Sequence, residues 1–188
     1  MLNTFVITGR PGSGKSVQAK LLSEKTGYIL FSPGERYRDI ATQETAFGRK
    51  IKETIDNGLL GPSWLSTYLF QNTILNIDDT DGIIFEGVGR KEAEAKMFNE
   101  TMEWLGRDYR VINLTAGEEV ITTRLTLRHD IESRNDDDPE DIPVRITEYN
   151  THTLPAIHFF GSVDKCIEIN GEQDIEGVHN DIVKSLDL

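Results

Sequence analysis

The sequence predicts an α/β protein built on a five-stranded parallel sheet with helices on both faces. Three observations predict it. Five short runs rich in β-branched or aromatic residues recur along the 188 residues, helical patterns lie between them, and a glycine-rich loop joins the first strand to the first helix. Strands that alternate with helices imply a parallel sheet, because each return to the same edge needs a crossover.

The strands are expected at Thr4–Thr8 (TFVIT), Tyr28–Phe31 (YILF), Gly82–Phe85 (GIIF), Tyr109–Leu114 (YRVINL) and Lys165–Ile169 (KCIEI). Several are nearly continuous in apolar residues, as strands covered on both faces are. Helices are expected at about Lys15–Lys25, about Trp64–Ile77, Glu92–Leu105, Glu118–Arg128, about Glu140–His158 and Ile175–Leu186. Two stretches exceed simple crossovers. Residues 32–62 hold two further short helical patterns and are expected to form a small helical insert. Residues 128–139 (RHDIESRNDDDP) are polar and aperiodic, and read as a mobile loop. At its end Asp138 reads as an N-cap, Pro139 as the first helical residue and Asp141 as the acid three places after the cap.

The glycine-rich loop is Gly9-Arg10-Pro11-Gly12-Ser13-Gly14-Lys15-Ser16, a complete G-x-x-x-x-G-K-[ST] in its required context between a strand and a helix. Glycines let the backbone fold into a nest whose N–H groups point inward at phosphate. The helix N-terminus adds about half a positive charge. Lys15 supplies a point charge for the β- and γ-phosphates, and the Ser16 hydroxyl can reach Mg²⁺. The loop therefore binds a nucleotide's phosphates. A guanine-reading Asn-Lys-x-Asp is absent, which argues against a GTPase.

Charge narrows the partners. Twenty Lys and Arg stand against 32 Asp and Glu, a formal net charge of -12. A phosphate-backbone binder needs the opposite sign, so neither nucleic acid nor an anionic membrane is an expected partner. A chain this acidic can bind phosphates only by gathering its few cations in one place. The single cysteine, Cys166, excludes a disulfide scaffold and suits a reducing cytoplasm. No secretory n-region and no window of 18 apolar residues is present, so neither a signal peptide nor a membrane span is expected.

From Phe5 to Leu186 the sequence resembles the adenylate kinase family of nucleoside monophosphate kinases, whose core is a P-loop kinase fold. The family's GxPGSGKGTQA appears as GRPGSGKSVQA, its S-x-G-D-x-x-R as Ser32-Pro33-Gly34-Glu35-Arg36-Tyr37-Arg38, and its G-x-L-V-P as Gly58-Leu59-Leu60-Gly61-Pro62. Its D-G-F-P-R appears as Glu86-Gly87-Val88-Gly89-Arg90, its R-L-x-x-R as Arg124-Leu125-Thr126-Leu127-Arg128, and its R-x-D-D as Arg134-Asn135-Asp136-Asp137. Arg145 follows at the expected distance, with R-L-x-x-Y as Arg145-Ile146-Thr147-Glu148-Tyr149 and T-x-P as Thr153-Leu154-Pro155. The six-residue step from Arg128 to Arg134 matches the short-lid variants, which lack zinc-binding cysteines.

The resemblance implies reversible transfer of the ATP γ-phosphoryl to a nucleoside monophosphate, AMP first, by a monomer that uses Mg²⁺. The insert 32–62 would hold the monophosphate and 128–139 would be a short lid over ATP. Gly9, Pro11, Gly12, Ser13, Gly14, Lys15, Ser16, Val17, Arg124, Arg128 and Gln173 would bind ATP. Ser32, Pro33, Arg38, Leu60, Gly61, Gly87, Arg90, Glu94, Arg134 and Arg145 would bind the acceptor. Lys15, Arg90, Arg128, Arg134 and Arg145 would act on the transferring group, with Mg²⁺ on Ser16 and, through water, on Glu86. Arg38 and Arg90 would grip the acceptor's phosphate, and Asp136 and Asp137 would anchor lid arginines. Guanidiniums suit this work, being always charged, planar and bidentate to phosphate. Tyr149 and the four histidines read as packing or surface residues.

The match departs in places. Ser16-Val17 stands for Gly-Thr, Glu86 and Glu35 for Asp, Gly89 for a proline whose ring would fix φ beside Arg90, and Pro33 for a hydroxyl or small residue. Glu94 falls where the family reads the acceptor base with Gln, or else is a surface glutamate on a helix that also carries Glu92. A kinase for CMP, UMP, GMP or a deoxynucleotide is the nearest variant. A non-catalytic nucleotide sensor on the same fold is the alternative from another class, and the full arginine set argues against it.

Overall fold

The computed structural model describes residues 2–132 and 141–188. Its five strands are β1 (Thr4–Gly9), β2 (Ile29–Phe31), β3 (Ile83–Glu86), β4 (Arg110–Thr115) and β5 (Cys166–Asn170). They form one sheet in the order β2-β3-β1-β4-β5, with every neighbouring pair parallel. The expected strands are all present, each shifted by a residue or two.

Period-two alternation sends successive residues of a strand to opposite faces, and here both faces are apolar. Phe5, Ile7, Ile84 and Ile112 face α1 (Lys15–Thr26) and α9 (Ile175–Ser185), where Leu22, Val178 and Ile182 meet them. Val6, Ile83, Phe85 and Val111 face the opposite layer, which α4 (Ser63–Ile74), α5 (Glu92–Leu105) and α8 (Leu154–Ser162) supply. Phe98 is the centre of that layer, with ring contacts to Phe70, Phe85, Tyr109 and Phe160. β1 and β3 are buried along their whole length, whereas β2 exposes Ile29 and Leu30 at the sheet edge and β5 exposes Glu168.

The insert is present as α2 (Pro33–Ala41) and α3 (Ala46–Asp56), which share a small core of Tyr37, Ile51 and Leu65 with the start of α4. Three expectations need correction. The helix expected to end at Arg128 is α6 (Glu118–Glu132), so the first five residues of the expected loop are helical. The helix expected over about Glu140–His158 is instead α7 (Ile142–Glu148), a π-helical turn (Tyr149–Thr153) and α8. Pro155 has no N–H to donate to the preceding turn, and the chain widens there, with the Leu154 N–H on the Tyr149 carbonyl. α7 begins after Asp141, which is its cap residue rather than the third residue of an earlier helix; Asp138 and Pro139 lie outside the described residues.

Among the described residues no helix is long and apolar enough to cross a membrane. Phe98→Ala is expected to cost about 3–5 kcal/mol, because a fully buried ring leaves a cavity that its aromatic neighbours only partly fill. In a chain of this size that lowers the melting temperature by roughly 6–20 °C. A fall below about 2 °C in thermal unfolding would show that this layer is not closely packed.

Candidate active site

Parallel strands end together, so their carboxyl ends bring distant residues to one crevice. β1 ends at Gly9 and β3 at Glu86, with Ile7 and Glu86 in register across the pair. The chain after β1 turns back sharply. Gly9 has φ 138°, and a Cβ there would sit 2.4 Å from the Leu114 carbonyl oxygen on β4. Gly12 and Gly14 take φ 75° and 94°, and Gly14 caps α1 without any side chain. The turn thus leaves the first amides of α1 aimed at open space, as a phosphate nest requires.

Lys15 starts α1 and is buried, its Nζ donating to the Arg10 carbonyl at 2.7 Å. Burial pushes its pKa down to about 7; Arg90, Arg145 and Arg128 push the same way, and Glu86 opposes them. Arg90 comes from the turn after β3, Arg128 from α6 and Arg145 from α7. Four cations from four parts of the chain therefore face one point, which is the gathering that the net charge demands.

Glu86 is buried and takes a hydrogen bond from the Ser32 hydroxyl at 2.5 Å. Burial alone would raise its pKa, yet Arg90, Lys15, the Ser32 hydrogen bond and Arg38 together hold it below the ordinary value. It is an ionised acid among cations. Arg90 is also held: its Nε donates to the Gly87 carbonyl at 3.1 Å, and Nη2 lies 3.9 Å from Glu86. Gly89, where the family has proline, takes φ 67°, which proline cannot adopt, and its Cα faces the Phe160 ring, where a Cβ would lie 3.0 Å from Cζ.

A cavity of about 460 Å³ opens over this point. Of the residues expected in the site, Gly9, Pro11, Gly12, Lys15, Ser16, Pro33, Arg38, Leu60, Gly61, Glu86, Gly87, Arg90, Glu94, Arg128 and Arg145 line it. Ser32 stands just behind, on Glu86. A second cavity on the far side of the loop is lined by Gly12, Ser13, Gly14, Val17, Arg124 and Gln173, so Gly12 belongs to both. Arg124 is engaged with the backbone there, donating to the carbonyls of Gly171, Glu172 and Gln173 at 2.7, 3.2 and 3.4 Å. It shapes the wall of that cavity. Arg134, Asp136 and Asp137 lie outside the described residues, as does most of the expected lid.

Glu94 is not a surface residue. It is 4% exposed on the inner face of α5 and lines the main cavity. Burial raises its pKa, against a hydrogen bond from Ser63, the Lys91 charge, the Lys91 backbone N–H and Arg90. Other residues escaped the sequence reading. Tyr37 packs its ring against Gly61 and shares a 2.5 Å hydrogen bond with Ser66. Tyr149, expected only to pack or face solvent, lines the cavity with Thr153 and lies under the Arg10 guanidinium, 5.5 Å from ring centroid to Cζ. The π turn presents both residues to the cavity side, and no sequence pattern signalled it.

A family model described as Adenylate kinase matches residues 7–165. The chain is similar to an adenylate kinase of Bacteroides fragilis, 35% identical over 188 residues that cover 100% of this chain and 99% of the relative. It is 34% identical over 170 residues to an adenylate kinase of a Cyanothece species, covering 90% and 87%. An adenylate kinase of Leptospira biflexa is 32% identical over 186 residues, covering 98% and 100%.

The depressed pKa of Lys15 predicts proton-linked nucleotide binding. Phosphate oxygens favour the charged ammonium and lift its pKa back above 7, so binding above that pH takes up a proton. Calorimetric titration with metal-free ATP near pH 8, in two buffers of different ionisation enthalpy, should show an uptake of about one proton. Identical heats in the two buffers would contradict it.

Proposed function

This chain belongs to the adenylate kinase family and is an ATP-dependent nucleoside monophosphate kinase, and on that premise we propose that it transfers the γ-phosphoryl of Mg·ATP to AMP with Lys15, Arg90, Arg128, Arg134 and Arg145 as its catalytic cations. The observation that carries the assignment is that Lys15, Arg90, Arg128 and Arg145, from four parts of the chain, line one cavity beside the phosphate loop. A phosphoryl group in transit spreads charge over its oxygens, and fixed cations that meet that charge stabilise the transition state. The acceptor is itself a phosphate, so the nucleophilic oxygen is already ionised and no general base is required.

The two cavities divide the substrates. Gly12, Ser13, Gly14, Val17, Arg124 and Gln173 would hold the donor nucleotide, with its phosphates passing the loop to Lys15. The insert 32–62 would hold the acceptor, with Arg38 and Arg90 on its phosphate and Leu60, Gly61 and Glu94 about its base. By the same resemblance residues 128–139 would be the lid. Ser16 and Glu86 fit Mg²⁺, since both are hard oxygen donors on the same cavity and Glu86 is kept ionised. Held by Ser16 and, through water, by Glu86, the metal would supply positive charge to the donor's phosphates. We further infer a monomer working in the cytoplasm, consistent with the single cysteine.

An acceptor panel tests the reading: protein, Mg²⁺, ATP and each nucleoside monophosphate, assayed for diphosphates. ADP from AMP is expected; ATP loss without any acceptor phosphorylation would contradict it. Lys15→Met should lower kcat by about 10³-fold or more while leaving the fold intact by circular dichroism. A variant that keeps a tenth of the wild-type turnover would remove Lys15 from catalysis.

Glu94 bears on the base. An ionised carboxylate only accepts, which suits the adjacent N1–H and N2–H₂ donors of guanine; adenine offers one donor and one acceptor, which suits an amide. A mismatched polar group in a closed pocket costs about 1–3 kcal/mol. The wild type should therefore discriminate AMP from GMP weakly, and Glu94→Gln should raise the AMP-to-GMP ratio of kcat/KM by roughly 10- to 100-fold. An unchanged ratio would show that Glu94 does not read the base.

A further inference from the structure

The insert must leave the core and return to it, and its two ends are held differently. It leaves at Ser32, whose hydroxyl is fixed on Glu86. It returns through Leu60–Ser63, where three core side chains grip three of the four residues. The Leu60 N–H donates to Glu148 Oε2 of α7 at 3.1 Å. The Gly61 carbonyl accepts from Lys91 Nζ at 3.0 Å. The Ser63 side chain is hydrogen-bonded to Glu94 of α5. The Leu60–Gly61 peptide is thus tied on both flanks, from two different helices, and both residues line the main cavity.

The Lys91 contact is the unexpected one. Lys91 is the residue that caps the start of α5, where the helix dipole opposes a cation. A lysine there needs local compensation, and it finds it in the Gly61 carbonyl and the nearby Glu94 carboxylate. Its backbone is fixed as well, since its carbonyl accepts the Ala95 N–H at 2.9 Å and its N–H is bound to Glu94. Gly61 in turn has no room to move. A Cβ on it would lie 2.5 Å from the Tyr37 ring, so the glycine lies between that ring on one side and the ammonium reaching its carbonyl.

We propose that Lys91 is a positioning residue for the acceptor: its ammonium holds the Gly61 carbonyl and, with Glu148 on the Leu60 amide, fixes the returning strand of the insert as a preformed wall of the acceptor cavity. The inference rests on the acceptor site proposed above. Lys91 does not line the cavity and touches no reacting atom. Its effect passes through the Leu60–Gly61 backbone, so it acts on acceptor binding and not on the phosphoryl step or on ATP.

The test compares Lys91→Met with Lys96→Met, which removes an equal charge from an exposed site on the same helix, where the ammonium pairs with Glu92 and lies over the Phe159 ring, away from the insert. Steady-state kinetics with AMP and Mg·ATP are combined with calorimetric titration of AMP alone. In Lys91→Met the KM and Kd for AMP should rise roughly 5- to 50-fold, the loss of one hydrogen bond from a charged donor. The KM for ATP should stay within about twofold and kcat at saturating AMP within about threefold. Lys96→Met should move neither. An AMP KM within twofold of wild type would overturn the proposal, as would an equal rise in the ATP KM or an equal effect of Lys96→Met. Wild-type protein that phosphorylates no monophosphate would instead overturn the acceptor site itself, and this inference with it.

Discussion

Lys15 sits where a protein of net charge -12 concentrates positive charge out of water, with three arginines pressing on it and Glu86 opposing them. Holding like charges together is costly, and an entering anion lowers that cost. That concentration of charge explains much of the surrounding structure. The sheet order places the ends of β1 and β3 side by side, so the phosphate loop and Glu86 share one crevice. Ser32 orients Glu86, the Gly87 carbonyl orients Arg90, and the Arg10 carbonyl orients Lys15. Lys15, Glu86 and Arg90 are thus each held by a backbone carbonyl or a hydroxyl.

The phosphate loop also separates two cavities. The loop at Gly12 is a partition with a cavity on either side, and the charged point lies at its edge. On one side Arg124 orders the Gly171–Gln173 backbone. On the other, Lys91, Glu94 and Glu148 order the returning end of the insert. Arg124, Lys91 and Glu148 hold the walls of the two cavities through backbone groups, while Lys15, Arg90, Arg128 and Arg145 line the main cavity.

What the sequence revealed followed from locality. The phosphate loop was legible because its backbone demands fix residue types at fixed spacing: Gly9, Gly12 and Gly14 all take positive φ. The strands were legible because β1 and β3 bury both faces and so read as unbroken apolar runs. The arginines were not legible by pattern. Arg90, Arg128 and Arg145 are brought together only by topology, and family resemblance alone singled them out. Burial was the other blind spot. Glu94 lies in a helix start beside Glu92, and nothing local distinguishes the buried glutamate from the exposed one. Gly89 stands where the family has proline, and its positive φ and the Phe160 ring against it are not legible from the sequence. The π turn and the grip of Lys91 and Glu148 on the insert depend on contacts across as many as 88 residues, which no window of sequence contains.

The central claim is that the site is a cluster of cations that takes a chain of phosphates. Thermal unfolding of the wild type with sodium tripolyphosphate, against sodium chloride at equal ionic strength, tests it without nucleoside or metal. A ligand that binds only the folded state at about 100 times its Kd adds about 2.7 kcal/mol. The account predicts a melting temperature that climbs with tripolyphosphate and is flat in matched chloride. Equal curves in the two salts would show that the cations respond only to bulk screening, and would contradict it.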